Sequence, residues 1–149
     1  MTKDYSAHFD SEAEIAELAE GMIARTLPKE RWTHAAHFAT ASWIILRRPD
    51  LDAARDMPRL IAAYNESRGG RNTDTEGYHE TITQASVRAT RAFLDGLAAG
   101  TPLHEAVNAM LAGPLGHPNW ILTYWSKDLL FSVAARRGWI EPDLQPLPF

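Results

Sequence analysis

Arg31-Trp32-Thr33-His34-Ala35-Ala36-His37-Phe38-Ala39-Thr40-Ala41-Ser42-Trp43-Ile44-Ile45-Leu46-Arg47 carries no charged side chain between its terminal arginines. A helix without a charged face is one buried on most sides. The stretch therefore reads as the central member of a helical bundle, within a helix expected from about Lys29 to Arg48 and stopped by Pro49. At about 100° per residue, His34 and His37 fall roughly 60° apart on one face, with Phe38, Ala41 and Ile45. Trp43 and Arg47 point the other way. The His-x-x-His pair thus belongs to an inward-facing surface.

Working outward, Pro and Gly punctuation divides the rest of the chain into further helical segments. The first opens near Ser11, an N-cap candidate, and places Ile15, Leu18, Ala19, Met22 and Ile23 at helical spacing before Pro28. A third segment lies between about Leu51 and Ser67, with Pro58 expected to split it or mark its first turn. Thr73 followed by Glu76 reads as a capping box opening a fourth helix that runs from about Glu76 to Ala99. Thr101-Pro102 opens a fifth to about Ala112, and Ser126 caps a last one reaching Arg137 before Gly138. Trp139 to Phe149 contains three prolines and reads as extended chain. No strand-period pattern or repeat stands out. The expected fold is an all-α, single-domain bundle of five to six helices spanning 1–149, with an extended Pro-rich C-terminal tail.

Composition narrows the function classes. A chain of 149 residues with 45% hydrophobic content is long enough for a real core and matches the globular average. Its formal net charge of −4 argues against a nucleic-acid module, which needs a concentrated basic surface. Cysteine is absent, which removes disulfides, thiolate metal sites and cysteine nucleophiles together. Met1-Thr2-Lys3-Asp4-Tyr5-Ser6 lacks the apolar core of a signal peptide, and no apolar run reaches membrane-spanning length. A cytoplasmic protein without membrane partners is the expectation.

The fourth helix supplies a third inward histidine. Its apolar face carries Tyr78, Ile82, Ala85, Ala89, Phe93 and Leu97, and its polar face Gln84, Arg88, Arg91 and Asp95. His79 falls in line with Leu97 and within roughly 60° of Ile82 and Phe93. Glu80 sits at the boundary of the faces, while Thr83, Ser86 and Thr90 share the strip running from His79. Buried imidazoles must satisfy two ring nitrogens each. Three of them on two helices have one common solution, a bound divalent metal with an open catalytic position. His34, His37 and His79 are the candidate ligands. Zinc is the leading metal, and ligand type leaves iron, nickel and copper open. Glu80, directly after a histidine ligand as in the zincin helix, is the candidate general base, although Thr83 stands where the second zincin histidine would fall.

The expected function is accordingly a metal-dependent hydrolase or lyase acting on a small polar molecule. The alternatives are a mononuclear iron or copper oxygenase and a non-catalytic small-ligand-binding helical protein. A metal-free network in which Thr33, Thr40, Ser42, Thr83, Ser86 and Thr90 satisfy the imidazoles is the structural counterpart. Arg68 and Arg71, flanking a Gly-Gly loop beside Asn72, suit an anionic substrate. His117 and Tyr124 are placed for a pocket mouth. Arg88, Arg91, Arg136 and Arg137 read as solvated or as helix C-terminal charges.

Trp32-Thr33-His34-Ala35-Ala36-His37 and Tyr78-His79-Glu80-Thr81-Ile82-Thr83 resemble the paired helices of a group of small bacterial all-helical proteins. The resemblance covers the middle half of the chain and continues through Tyr124-Trp125-Ser126 and Ala134-Ala135-Arg136-Arg137; it supplies no reaction. A looser resemblance is to the DinB-like metal-binding helical bundles, in which three histidines project into the bundle. In that family the paired histidines come late and at a wider spacing. It implies only that a helical bundle can host a three-histidine metal.

Overall fold

The computed structural model describes residues 7–149. Residues 1–6, on which the reading of a missing signal-peptide core rests, lie outside the described residues. Five helices of ten residues or more build the bundle: α1 (Glu12–Ile23), α2 (His34–Arg47), α3 (Ala53–Ser67), α4 (Glu80–Asp95) and α5 (Leu103–Ala112). Two short ones follow, α6 (Lys127–Leu130) and α7 (Val133–Arg137), with 3₁₀ turns at Lys29–Arg31, Pro114–Gly116 and Pro118–Thr123. No strand occurs among the described residues. Among the described residues no helix is long and apolar enough to cross a membrane.

The uncharged stretch is the bundle's centre. α2 packs against α1, α3, α4 and α5, and Ala35, Ala36, Phe38, Ala39, Thr40, Ala41, Ser42 and Ile44 are buried along it. One hydrophobic core joins all five long helices: Ile15 and Met22 of α1, Phe38 and Ile44, Met57 and Tyr64 of α3, Val87 of α4, and Leu103 and Met110 of α5. Tyr64 donates its hydroxyl to the Leu27 carbonyl at 2.7 Å, satisfying the polar tip of a buried aromatic. The Thr40 hydroxyl is buried without a hydrogen-bond partner among the described residues.

Helix boundaries move where local signals compete. Ser11 caps α1 as expected, its hydroxyl accepting from the Glu14 N–H at 3.3 Å. The second helix starts five residues later than expected, because Thr33 caps it by accepting from the Ala36 N–H at 3.2 Å. Pro58 neither splits α3 nor sits in its first turn; the helix runs through it. Proline lacks the N–H that would bond the carbonyl four residues back, here that of Ala54. The Gln84 side chain from α4 donates to that carbonyl at 2.9 Å.

The expected capping box at Thr73 and Glu76 does not form. Gly77 has φ +82, and a β-carbon there would collide with the Arg71 carbonyl, so the chain turns sharply instead of beginning a helix. α4 begins at Glu80 with His79 as its cap, and it ends at Asp95 rather than Ala99. The last expected helix is two short ones, since Ser132 recaps the chain by accepting from the Ala135 N–H at 3.2 Å. The tail is non-helical, as expected. Trp125 donates to the Ile140 carbonyl at 2.9 Å, and Phe149 packs on Trp120 and Tyr124 at ring distances of 6.3 and 6.4 Å.

Candidate ligand cavity

The N-terminal halves of α2 and α4, the C-terminal half of α3 and the Pro118–Thr123 turn enclose a cavity of about 600 Å³. Its walls are mainly apolar and aromatic, with Trp32, Phe38, Tyr64, Tyr78, Trp120 and Phe131 supplying rings. His34, His37 and His79 all line it, so the helical periodicity correctly brought the three to one space. Their ring nitrogens have different fates.

His79 has none to spare. As the cap of α4 its Nδ1 accepts from the Ile82 N–H at 3.2 Å, and its Nε2 lies 2.7 Å from the Leu130 carbonyl. A carbonyl only accepts, so Nε2 carries the proton and the imidazole is a neutral clamp between α4 and α6. Burial lowers its pKa, with the Leu130 bond opposing and the nearby Arg136 charge reinforcing the shift. His34, in the first turn of α2, donates from Nε2 to the Leu115 carbonyl at 2.7 Å. Gly116 makes this reach possible: a β-carbon there would strike the Leu111 carbonyl, so only glycine lets the turn fold back on α5. Burial also lowers the His34 pKa, more than the Leu115 bond raises it.

His37 has the opposite tautomer. Its Nδ1 donates to the Thr33 carbonyl at 2.8 Å, one helical turn back, leaving Nε2 as an unprotonated acceptor. Its ring stacks on Trp32 with centroids 4.0 Å apart. Burial pushes its pKa down to about 4, outweighing the Thr33 bond. At neutral pH the half-buried ring is therefore an uncharged base with a fixed orientation. Both rings line the cavity, and among the described residues neither His34 Nδ1 nor His37 Nε2 is paired with a protein group.

As bonded here, the three imidazoles are not a ready ligand set. His79 would have to give up its helix cap or its Leu130 bond to ligate. Among the described residues no group of three or more His, Asp or Glu side chains is disposed to hold an ion. Glu80 does not line the cavity. Its Oε1 accepts from the Tyr78 hydroxyl at 3.1 Å and from Gln84 at 2.7 Å, so its work is to hold the start of α4. To act as a base beside a metal-bound water, Glu80 would have to exchange these bonds.

Nor do hydroxyls form the expected network on the imidazoles. Ser42, Ser86 and Thr90 donate to carbonyls of their own helices at 2.8, 2.7 and 2.8 Å, and main-chain carbonyls take the histidine protons instead. Arg68 and Arg71 do reach the cavity, at its exposed rim. Tyr124 and His117 do not line it; His117 accepts from the Asn119 N–H at 3.0 Å and caps the Pro118–Thr123 turn. Among the wall residues that the sequence does not single out are Trp32 and Trp120. Trp32 sits before the helix proper, and Trp120 comes from an irregular turn, so no periodicity announced either one.

No family model, curated protein or solved structure matches the chain. The site must be interpreted from its own chemistry.

Proposed function

We propose that this chain binds a small, largely apolar molecule in the cavity, oriented by the neutral imidazole of His37. The observation that carries this reading is the combination of about 600 Å³ of space with an accepting ring nitrogen at His37. Ligand sites commonly occupy about 300–1,000 Å³ and pair apolar walls with a few fixed polar groups. Trp32 and Thr33 supply the fixing here, one by stacking and the other by holding the tautomer. A ligand hydroxyl or N–H donated to Nε2 would fill the one hydrogen bond that ring lacks.

N-phenylnaphthylamine, a neutral apolar fluorophore, is a direct probe. It is expected to bind at a single saturable site, with Trp fluorescence quenched in step. Ser86→Phe places a ring in the lined space and is expected to abolish binding while circular dichroism and Tm stay near wild type. Linear, non-saturating uptake, or binding unaffected by Ser86→Phe in folded protein, would overturn the reading. Ile82→Trp, filling the same space from the next turn, serves if Ser86→Phe fails to fold.

A further inference from the structure

The cavity's rim is charged in a way the rest of the protein is not. The chain as a whole carries a formal −4, yet the charged residues lining the cavity, all exposed, are Lys29, Arg68 and Arg71 against Glu76. Among the described residues Lys29 and Arg71 make no ion pair and no side-chain hydrogen bond. Arg68 spends one N–H on the Arg25 carbonyl at 2.8 Å and otherwise lies over the Tyr64 ring, 6.0 Å from its centroid. Cations left without partners beside an apolar cavity favour an anion that places its body inside.

The rim is built rather than incidental. Asn72, next to Arg71, donates to the Ala62 carbonyl at 2.9 Å and accepts from Asn65 at 3.1 Å and from the Tyr78 N–H at 3.0 Å. One side chain thereby ties the loop both to α3 and to the start of α4. Gly77 lets the two backbones approach where any β-carbon would meet the Arg71 carbonyl. Arg71 is thus held at the mouth by a braced loop, and Lys29, in the 3₁₀ turn before α2, lines the same cavity.

We propose that the ligand is a planar aromatic acid of two or three fused rings: its acidic group meets Lys29, Arg68 and Arg71, its rings lie among Trp32, Tyr64 and Trp120, and a hydroxyl or N–H donates to His37 Nε2. This rests on the cavity being a ligand site. Aromatic walls favour a flat π-surface through offset and edge contacts. Guanidinium groups bind carboxylate and related oxyanions by charge-assisted hydrogen bonds. The ring-to-rim arrangement selects molecules carrying a donor at one end and an acid at the other.

Three naphthalene probes separate the terms by calorimetric titration: hydroxynaphthoate, its neutral carboxamide, and its methyl ether. The acid is expected to bind about ten-fold or more tightly than the carboxamide, and to weaken as salt is raised. In the Lys29→Gln/Arg71→Gln variant that preference is expected to vanish, with the acid losing far more affinity than the carboxamide; both residues are exposed and outside the core, so the fold is expected to survive. The methyl ether, which cannot donate to His37, is expected to bind more weakly than the acid, and His37→Phe to remove that difference. Equal affinity for acid and carboxamide overturns the anion assignment while leaving the cavity a ligand site. Absence of saturable binding for all three probes and for N-phenylnaphthylamine overturns the cavity reading itself.

Discussion

At the residue scale, the three histidines divide by tautomer, and that division decides the chemistry. His34 and His79 each donate from Nε2 to a carbonyl, whereas His37 donates from Nδ1. In long-range ¹H–¹⁵N spectra at neutral pH, the assigned signals of His34 and His79 should therefore be Nε2–H rings and that of His37 an Nδ1–H ring, the last titrating at about 4. The same assignment makes a prediction about metal. Zinc or nickel in modest excess should leave Tm unchanged within about 1 °C, because a ligand that stabilises only the folded state raises Tm in proportion to its binding. A metal-dependent rise, with loss of the His79 Nε2–H signal, would restore the three-histidine site and require α4 to give up its cap.

At the element scale, α3 and α4 are locked together by a repair. Pro58 removes a helix hydrogen bond, and Gln84 donates to the carbonyl it orphans. Gln84→Ala should cost about 1 kcal/mol, the net worth of a typical hydrogen bond. In a Pro58→Ala background the helix regains its own donor, so the same substitution should cost markedly less. Urea denaturation of the four proteins measures the coupling, and strict additivity would show that Gln84 contributes nothing through Ala54. Gln84 illustrates a wider pattern on this face. Arg91 pairs with Asp52 at 3.6 Å, Arg88 lies 4.1 Å from the Trp139 ring centroid, and Arg136 donates to the Gly77 carbonyl at 2.9 Å. Side chains that read as solvated are the clasps holding neighbouring elements to α4.

At the scale of the whole molecule, the inward histidines set the response to acid. His34, His37 and His79 all have pKa values lowered by burial below the ordinary value of 6.5. The folded protein therefore binds fewer protons than the unfolded chain once the pH falls below about 6.5, and the unfolded state gains. Stability should be full above that pH and decline towards pH 4, where His37 itself takes up a proton. Carboxylates held low by partners, such as Asp143 bonded to Ser126 and Glu12 bonded to Arg47, add their loss below that window and in the same direction. Urea midpoints measured at pH 7.5, 6 and 5 should fall steadily. A flat profile would mean that the histidines are solvated rather than buried.

What the sequence determined by itself is the all-helical class, the central place of α2 and the inward direction of three histidines. These follow from periodicity: side chains recur every 3.6 residues, and an uncharged helix has no face to offer water. Even the convergence of His34, His37 and His79 on one space was legible in this way. Their bonds were not. Whether a ring nitrogen ligates, accepts or is already taken depends on which carbonyl lies beside it. For His34 and His79 those carbonyls belong to Leu115 and Leu130, 81 and 51 residues away in the chain. The start of α4 was misplaced for a related reason, since Thr73 and Glu76 satisfy the local capping pattern but Gly77 is pressed against Arg71 by the loop's return to α3. Periodicity tells which way a side chain faces; only the packed chain supplies what it meets there.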